Sequence, residues 1–301
     1  MDRGEDAVSE VLTDEPLSSH TSWRVGGPAE LFCRPRSVAA MAEFLHTLPP
    51  DMPVYWIGLG SNLLVRDGGI RGAVISTVEL ERVIERLDAT RIRASAGVRC
   101  TTFARHCVRL KLGPAAFFAG IPGTLGGALA MNAGAYGGET WNNVECVETI
   151  DRQGVAHERN RDAYSIGYRS VSGPEPEWFT AATFRFAPDE QADMSDIGLM
   201  VKQRGESQPI GKPSCGSVFR NPQGDFAGRL IEAAGLKGRR IGGASVSDKH
   251  ANFIINEGDA SAADIEALIE HVRTEVRAHS GVELECEVRI VGEPSEAGGQ
   301  R

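Results

Sequence analysis

The sequence has 301 residues, of which 41% are hydrophobic and 24% are charged. This length can supply two ordinary domains, and the near-average composition excludes a disordered chain or a fibrous repeat. The formal net charge of -9 argues against general binding to nucleic acids or acidic membranes, although a local basic pocket for an anionic ligand is compatible with it.

The chain lacks an apolar run long enough to span a membrane, and its first residues, MDRGEDAVSE, are charged where a signal peptide would be apolar. We therefore expect a cytoplasmic protein. The cysteines form no CxxC pair, which favours reduced and mostly buried thiols over a zinc site; we predict no metal. They are Cys33, Cys100, Cys107, Cys146, Cys215 and Cys286.

The first half of the chain predicts alternating strands and helices. After a polar leader over residues 1–20, SWRVGGPAELFCRP indicates two strands separated by Gly26 and Gly27. Ser37 is a predicted N-cap, and TTFARHCVRLKLG predicts a helix that begins at Thr101 and is capped by Gly113. The segments PVYWI, GAVIST and RIRASAG have the pattern of strands. The apolar face of the helix after Ser37 consists of Met41, Phe44, Leu45 and Leu48.

Two further strands are predicted at VECVETIDRQG and EWFTAATFRF, and the polar segment APDEQADMSD that follows indicates a domain boundary. The alternation in the second strand predicts that five of its side chains share one face: Trp178, Thr180, Ala182, Phe184 and Phe186. The resulting pattern is that of an α+β fold.

The last third predicts a compact α/β unit. DFAGRLIEAAG is an amphipathic helix that ends at Gly235, and a longer helix begins at a capping box formed by Ser261 and Asp264. NFIINEG and CEVRIVG supply strands on either side of this longer helix. Its apolar stripe consists of Ile265, Leu268, Ile269, Val272 and Val276.

Two glycine-rich segments, GLGSNLL at Gly58–Leu64 and AGIPGTLGGALAMNAGAYGGE at Ala119–Glu139, carry the strongest functional signal. Glycine lets backbone N–H groups approach a phosphate, but it equally suits tight turns and close packing. Leu63 stands where a Rossmann fingerprint needs its third glycine, and Lys212 is followed by Pro213, which excludes a P-loop. Together and in this order, the two segments resemble the FAD-binding domain of the vanillyl-alcohol oxidase type, in which two α+β subdomains hold the cofactor.

Four further motifs narrow the resemblance. YSIGYRS, PSCGSVFRNP, GRLIEAAGLKGRRIGGASVSDKHANFIIN and LECEVRIVG follow in the order typical of the UDP-N-acetylenolpyruvoylglucosamine reductase (MurB) family, and the likeness covers residues 21–292. The chain resembles the shorter branch, which lacks a Tyr-bearing loop, because no Tyr lies between Arg169 and Ser217. The resemblance implies an FAD-binding domain over residues 21–190, a substrate-binding domain over 191–292 and a tail over 293–301.

The resemblance also implies the activity: a monomeric enzyme with non-covalent FAD uses NADPH to reduce UDP-N-acetylglucosamine enolpyruvate to UDP-N-acetylmuramate for peptidoglycan. Ser217 matches the proton donor, and Arg169 and Glu287 match the groups that hold the substrate carboxylate and stabilise the enolate. A carboxylate would repel an enolate, so we expect Glu287 to be protonated or neutralised by Arg169. In isolation, Ser217 would equally suit a turn, and Arg169 or Glu287 a surface ion pair.

The remaining site residues are also implied by the resemblance. Substrate contacts are expected from Tyr168, Asn221, His250 and Lys212, with Arg220 as an alternative to Lys212 at the diphosphate; His250 would equally be an ordinary surface histidine. The predicted cofactor-binding residues are Gly58, Gly60, Ser61, Asn62, Leu63, Gly120, Ile121, Pro122, Gly123, Thr124, Gly127, Asn132 and Gly134.

Three alternatives remain open from the sequence. An oxidase on the same FAD fold often tethers its flavin through His or Cys, but His106 and Cys107 lie in a predicted helix. A hydrolase would use Ser217 or Cys215 with His250, although the sequence has no GxSxG elbow. A non-catalytic nucleotide-binding protein would need neither Ser217 nor Glu287. Cys215, so close to the expected flavin, is also a candidate for oxidation.

Overall fold

The structure is a computed structural model that describes residues 10–295. Residues 1–9 of the predicted leader and residues 296–301 of the predicted tail lie outside the described residues. None of the described helices combines the length and apolar character that a membrane crossing requires.

The described residues contain both helices and strands in alternation. The helices are α1 (Val38–Thr47), α2 (Cys100–Arg109), α3 (Leu125–Met131), α4 (Met194–Ser207), α5 (Ala227–Ala233) and α6 (Ala262–Ser280). The strands are β1 (Glu10–Pro16), β2 (Pro28–Arg34), β3 (Val54–Ile57), β4 (Leu63–Val65), β5 (Ile70–Ser76), β6 (Ile84–Arg86), β7 (Arg91–Ser95), β8 (Leu112–Gly113), β9 (Gly134–Ala135), β10 (Gly138–Glu139), β11 (Val144–Asp151), β12 (Ala156–Asn160), β13 (Ser165–Gly167), β14 (Ser170–Ser172), β15 (Glu177–Arg185), β16 (Ala187–Pro188), β17 (Arg240–Ile241), β18 (Ala244–Val246), β19 (Ile254–Asn256) and β20 (Arg289–Val291).

The chain forms two compact units that alternate along the sequence. Within the described residues, the first unit comprises residues 10–12, Phe32–Gly58 and Ala73–Gln203. The second unit comprises Thr13–Leu31, Leu59–Gly72 and residues 204–295. Strands β1, β2 and β5 and helix α4 each begin in one unit and end in the other. The sequence-based domain boundaries, which assumed continuous segments, stay a prediction.

The first unit is built on a five-stranded antiparallel sheet in the order β12-β11-β15-β7-β6. Helix α3 packs on β7 and β15, and the core contains a cluster of phenylalanines. The ring of Phe103 in α2 lies 4.7 Å from that of Phe184 in β15 and 5.1 Å from that of Phe118, measured between centroids. The same unit contains α1, whose Ser37 hydroxyl accepts from the amide of Ala40, and the parallel pairing of β3 with the last four residues of β5, Ala73 to Ser76. The predicted N-cap and the buried face of α1 are therefore confirmed.

Strand β15 is not the regular strand that its alternation predicts. Its register against β11 shifts between Glu148 and Thr149, so Thr180 has no Cα partner there. Because one extra residue reverses the alternation, Phe179 packs against the same core as Phe184, whereas Trp178 stacks on Trp56 instead. The prediction of one shared face from Trp178 to Phe186 was wrong.

The second unit combines a three-stranded antiparallel sheet, β17-β18-β19, with a parallel pair formed by β4 and β20. Helix α6 packs on β17, β18, β19 and β4 and buries the entire predicted stripe from Ile265 to Val276. The capping box of Ser261 and Asp264 is present, and α6 ends at Gly281 in the left-handed region. These predictions are confirmed, as is the end of α5 next to Gly235, whose φ is +72°.

Two other element predictions were wrong. Trp23 and Arg24 belong to no strand, so only β2 forms from the segment that predicted two strands. Helix α2 ends at Arg109, and Lys111 rather than Gly113 has the positive φ of +55° near its end; Gly113 instead pairs with Ala187 in β8. Glycine is only the preferred residue for the left-handed conformation that follows a helix. Another residue of the turn can adopt this conformation at a modest cost in free energy.

Candidate active site

Thr124 lies at the start of α3, inside the second glycine-rich segment. Its side chain is 2% exposed, yet the hydroxyl has no hydrogen-bond partner among the described residues. The amides of Leu125 and Gly126 donate to the carbonyls of Val98 and Ala96, so these N–H groups are already used. A buried hydroxyl without a partner costs free energy, and a polar ligand group would remove that cost.

Gly58 lies against the same hydroxyl. A Cβ atom at Gly58 would be 2.5 Å from the Thr124 Oγ1, which is closer than any side chain tolerates. On the other side, a Cβ atom at Gly127 would have Oγ1 at 3.9 Å as its nearest neighbour, so this position is open. Two glycines thus lie near a buried hydroxyl that has no hydrogen-bond partner within residues 10–295, an arrangement that fits the phosphate oxygens of a nucleotide cofactor.

The residues from Gly120 to Gly123 form the turn that precedes Thr124. Ile121 is buried and its amide donates to the Phe118 carbonyl, whereas Pro122 is exposed. Gly123 has a φ of +115°, which an L-residue rarely adopts, and its carbonyl accepts from the amide of Cys100. The turn is therefore anchored to the start of α2, which holds Thr124 in place.

Asn132 ends α3 in the left-handed region, with a φ of +47°. It is 1% exposed, and its side chain bonds the Glu139 carboxylate, the Gly167 carbonyl and the Trp141 amide at 3.0 to 3.1 Å. These bonds connect the end of α3 to the last residue of the glycine-rich segment, to Trp141 just after it and to β13. Asn132 therefore fixes the loop, and its contact with the cofactor stays a prediction.

Arg169 is held by this loop. Its Nη2 donates to the Gly134 carbonyl at 3.0 Å and its Nη1 to the Asn132 carbonyl at 3.4 Å. Gly134 needs to be glycine, because a Cβ there would lie 2.4 Å from the Gly138 carbonyl oxygen. The guanidinium also lies over the exposed ring of Tyr168, 5.2 Å from its centroid. The first unit thus brings together four of the predicted residues, Asn132, Gly134, Tyr168 and Arg169.

The first glycine-rich segment continues into the second unit with Gly60, Ser61, Asn62 and Leu63. Gly60 has a φ of +59°, and a Cβ there would lie 2.2 Å from the His20 carbonyl oxygen. The Asn62 side chain donates to the Glu287 carbonyl at 3.1 Å, and Leu63 pairs with Arg289 in the β4 and β20 ladder. The predicted cofactor loop is therefore joined by hydrogen bonds to β20 and to Glu287, two residues before that strand.

Ser217 lies at the start of a short extended segment of the second unit. Gly216 before it has a φ of +71°, and Ser217 itself is half-buried. The next two residues, Val218 and Phe219, are 0% and 1% exposed. The Val218 carbonyl accepts from the Glu287 amide at 2.8 Å, so Ser217 and Glu287 lie on neighbouring backbone segments.

Asn252 holds the other side of this segment. Its Oδ1 accepts from the Phe219 amide at 2.9 Å and its Nδ2 donates to the Phe219 carbonyl at 2.8 Å. Its own carbonyl accepts from the Val218 amide at 2.9 Å. Asn252 was not among the predicted site residues, although an Asn between Ala251 and Phe253 in a buried strand pattern is a signal that could have identified it.

The predicted substrate residues of the second unit lie in different environments. His250 is half-buried, which lowers its pKa, and its Nδ1 accepts from the Asn252 amide at 3.3 Å; it is therefore not an ordinary surface histidine. Asn221 is exposed, and its Oδ1 accepts from the Ala227 amide at the start of α5. Lys212 is exposed, with Nζ 3.5 Å from the Glu257 carboxylate, and Arg220 lies 3.7 Å from that of Glu285.

The cysteines do not suit nucleophilic or tethering roles. Burial raises the pKa of both the Cys215 and Cys107 thiols to about 12, and the Cys215 Sγ lies 3.3 Å from the Leu63 carbonyl oxygen. A thiol of this kind is almost entirely protonated near neutral pH, so oxidation of Cys215 is disfavoured. Within residues 10–295, no hydrogen bond joins His250 to Ser217. These observations argue against the hydrolase and against an oxidase with a flavin tethered through Cys107.

Two models of known protein families match this sequence and define the class of protein. A family model described as an FAD binding domain matches residues 29–159, and one described as the C-terminal domain of UDP-N-acetylenolpyruvoylglucosamine reductase matches residues 208–291. The chain is thus an FAD-binding protein with a mixed α and β fold, as the resemblance predicted, and the buried hydroxyl of Thr124 beside Gly58 fits that cofactor.

The family follows from full-length relatives. The reductase of that name from Alkalilimnicola ehrlichii is 58% identical over 93% of this chain and 94% of its own, and that from Methylococcus capsulatus is 56% identical over 94% and 93%. The crystal structure of the reductase (MurB) from Thermus caldophilus matches with a TM-score of 0.78 and 30% identity over 94% of this chain and 98% of its own. The chain belongs to the UDP-N-acetylenolpyruvoylglucosamine reductase family.

Proposed function

We propose that this protein reduces UDP-N-acetylglucosamine enolpyruvate to UDP-N-acetylmuramate, a peptidoglycan precursor, with NADPH as the reductant. The observation that carries the proposal is the 58% identity to a reductase of this name across almost the whole length of both chains. The two family models together match both glycine-rich segments and the segments that carry Ser217 and Glu287. The buried Thr124 hydroxyl beside Gly58 supports the nucleotide cofactor that such a reduction needs.

The reaction saturates one carbon–carbon double bond, so it consumes a hydride and a proton. When bound, FAD supplies the hydride to the substrate, and NADPH then supplies a new hydride to FAD. Addition at the terminal carbon of the enolpyruvyl group places negative charge on the adjacent carbon and its carboxylate. The protein must therefore offer positive charge to the carboxylate and a proton to that carbon. We assign the proton to the Ser217 hydroxyl, which lies next to a left-handed glycine and is half-buried.

Arg169 and Glu287 are the proposed partners of Ser217. The planar guanidinium of Arg169 can bind a carboxylate at two points, and its bonds to the carbonyls of Gly134 and Asn132 restrict its orientation. The Glu287 backbone is fixed on both sides, by Asn62 at its carbonyl and by Val218 at its amide. A protonated or neutralised Glu287 would stabilise the developing enolate without repelling it.

The remaining assignments concern the cofactor and the nucleotide sugar. We assign the cofactor phosphates to the two glycine-rich segments, with Thr124 as the side-chain donor, and the substrate to Tyr168, Asn221, His250 and Lys212. The exposure of Lys212 supports a contact with a diphosphate, because its ion pair with Glu257 is on the surface and costs little to exchange. We further expect a cytoplasmic monomer with no nucleic-acid or membrane partner, which size-exclusion chromatography coupled to light scattering tests for the oligomeric state.

The first experiment follows the two half-reactions of the purified protein. We expect a yellow protein with a non-covalent flavin spectrum, bleaching of the flavin absorbance by NADPH without oxygen, and recovery of the absorbance when the enolpyruvyl substrate is added. NADPH consumption should match formation of UDP-N-acetylmuramate one to one. A colourless protein that does not take up FAD, or a reduced flavin that the substrate does not reoxidise, would overturn the proposal.

The second experiment tests the proton donor. In Ser217→Ala, we expect NADPH to reduce the flavin at the normal rate and the substrate to reoxidise the flavin about 10² to 10⁴ times more slowly. Only the second half-reaction needs the proton. Ser214→Ala, in the same segment, is the matched control and should retain both rates. Normal reoxidation in Ser217→Ala would show that Ser217 is not the proton donor, but it would not contradict the proposed overall reaction.

A further inference from the structure

The short segment that follows Ser217 is buried on both sides and obtains its backbone hydrogen bonds from two separate parts of the second unit. Val218 and Phe219 each have one amide and one carbonyl. Asn252 satisfies three of these four groups, through its own carbonyl, its Oδ1 and its Nδ2, and the Glu287 amide satisfies the fourth. Asn252 thus makes the hydrogen bonds that a neighbouring strand would make, and its side chain provides two of them.

The surroundings of Asn252 restrict its own position. It is 3% exposed, its amide donates to the His250 Nδ1, and Phe253 beside it is also buried. A buried carboxamide with both of its polar atoms bonded has one low-energy orientation, because any rotation leaves polar atoms without partners. The Phe219 backbone, and with it the chain direction at Ser217, is therefore fixed by a rigid group.

We propose that Asn252 is the positioning residue that fixes the Ser217 hydroxyl for proton transfer. The inference rests on the proposed function, in which Ser217 protonates the substrate carbon. Asn252 does not itself touch the reacting atoms. It sets the position of the segment that carries the donor, and a small displacement of a proton donor can reduce the rate of transfer greatly.

Asn252→Asp is the informative variant, because it keeps the size of the side chain and the acceptor for the Phe219 amide. It removes the donor to the Phe219 carbonyl and places a second acceptor against that oxygen. We expect NADPH to reduce the flavin within about twofold of the normal rate and the substrate to reoxidise it about 10 to 100 times more slowly. Lowering the pH should speed reoxidation in this variant relative to the wild type, because a protonated carboxyl again donates to the Phe219 carbonyl.

The matched control is Asn256→Asp. Asn256 is likewise buried, and its Nδ2 donates to the Trp23 carbonyl at 2.9 Å while its Oδ1 accepts from the Gly258 and Ala260 amides. The chemical change is the same, but the partners are not the Ser217 segment. We expect this variant to be less stable, with a normal ratio of the two half-reaction rates and no relative gain at low pH.

Hydrogen exchange provides a readout that does not depend on turnover. In the FAD-bound protein, amide exchange over residues 217–220 should be at least about tenfold faster in Asn252→Asp than in the wild type, and unchanged in Asn256→Asp. Unchanged exchange there, or equal slowing of both half-reactions in a folded FAD-bound Asn252→Asp, would overturn the positioning role. A wild-type protein that the substrate does not reoxidise would overturn the proposed function instead, and exchange would still decide whether Asn252 holds the segment.

Discussion

At the scale of single residues, Thr124 shows how a binding role conflicts with stability. The hydroxyl is buried without a partner in the part of the chain that the structure describes, and at the start of a helix it makes none of the usual capping bonds. A valine of nearly the same shape would avoid this cost, so stability alone does not explain the threonine. A polar ligand that reaches the hydroxyl does explain it.

The first prediction follows from this conflict. Thr124→Val should leave the apoprotein as stable as the wild type or more stable by up to about 1 kcal/mol, because no protein hydrogen bond is lost. FAD should bind about tenfold more weakly, since a hydrogen bond to a charged group contributes about 1.5 kcal/mol. Thermal unfolding of the apoprotein and titration with FAD measure the two effects.

Thr140→Val is the control for Thr124→Val. The Thr140 hydroxyl is fully buried in the same unit, but it donates to the Ala133 carbonyl at 2.7 Å. This control should therefore lose about 1 kcal/mol of stability. If Thr124→Val were destabilised as much as Thr140→Val, or bound FAD normally, the hydroxyl would not be a cofactor ligand.

At the scale of secondary structure elements, Asp67 links the segment after β4 to helix α6. Its two carboxylate oxygens accept from the amides of Ala262 and Ala263 at 2.9 Å each, although Asp67 is far from them in sequence. The neighbouring Arg66 binds the Glu266 carboxylate of the same helix through Nε and Nη2. The start of α6 therefore has two caps, Ser261 from its own sequence and Asp67 from the segment after β4.

We predict that Asp67→Ala lowers the free energy of unfolding by about 1 to 2 kcal/mol, because two helix amides lose a negatively charged acceptor. Urea unfolding measures this as a lower midpoint with an unchanged slope. Asp259→Ala removes the same charge from a residue that precedes the helix in sequence by only a few positions, and its exposed carboxylate should contribute less than about 0.5 kcal/mol. Equal effects of the two substitutions would show that charge alone, rather than the capping geometry, matters.

The elements that the sequence could predict are those whose signals are local. Helices α1, α5 and α6 have a periodic apolar face with a cap or a stop glycine, and each forms where predicted. The bulge in β15 could not be predicted, because it depends on its register against β11. The end of α2 was also misplaced, because Lys111 takes a conformation that favours glycine.

The candidate site shows the same division. The resemblance predicted the glycines at positions 58, 60 and 134 as cofactor-binding residues, and the structure gives the protein atoms that a side chain at each position would approach too closely. Asn252 and Asp67 were missed, because each acts on a segment distant in sequence and neither belongs to a local pattern. A resemblance to a family supplies roles for exposed residues, but buried polar residues become interpretable only when their partners are known.

At the scale of the whole molecule, the titratable groups of both units predict how stability depends on pH. Hydrogen bonds from Arg159 and Arg66 lower the pKa values of the Glu177 and Glu266 carboxyls, and burial lowers that of His250. In each case the unfolded chain binds protons more readily than the folded protein does. Stability must therefore rise with pH across the interval between the folded and unfolded pKa values of each group.

The expected profile has two parts. The contribution of His250 is complete above its unfolded pKa of about 6.5 and is lost as the pH falls below it, and those of the two carboxyls are lost only below about pH 4.5. Urea unfolding of the apoprotein between pH 4 and 8 should show a decline that begins near pH 6.5 and steepens below pH 4.5. In His250→Gln, stability should change less with pH above about pH 4.5, because a glutamine oxygen can accept from the Asn252 amide without titrating. If the decline in stability that begins near pH 6.5 is unchanged in this variant, it belongs to another histidine. Burial also lowers the pKa of His106, so His106 would be the next histidine to replace.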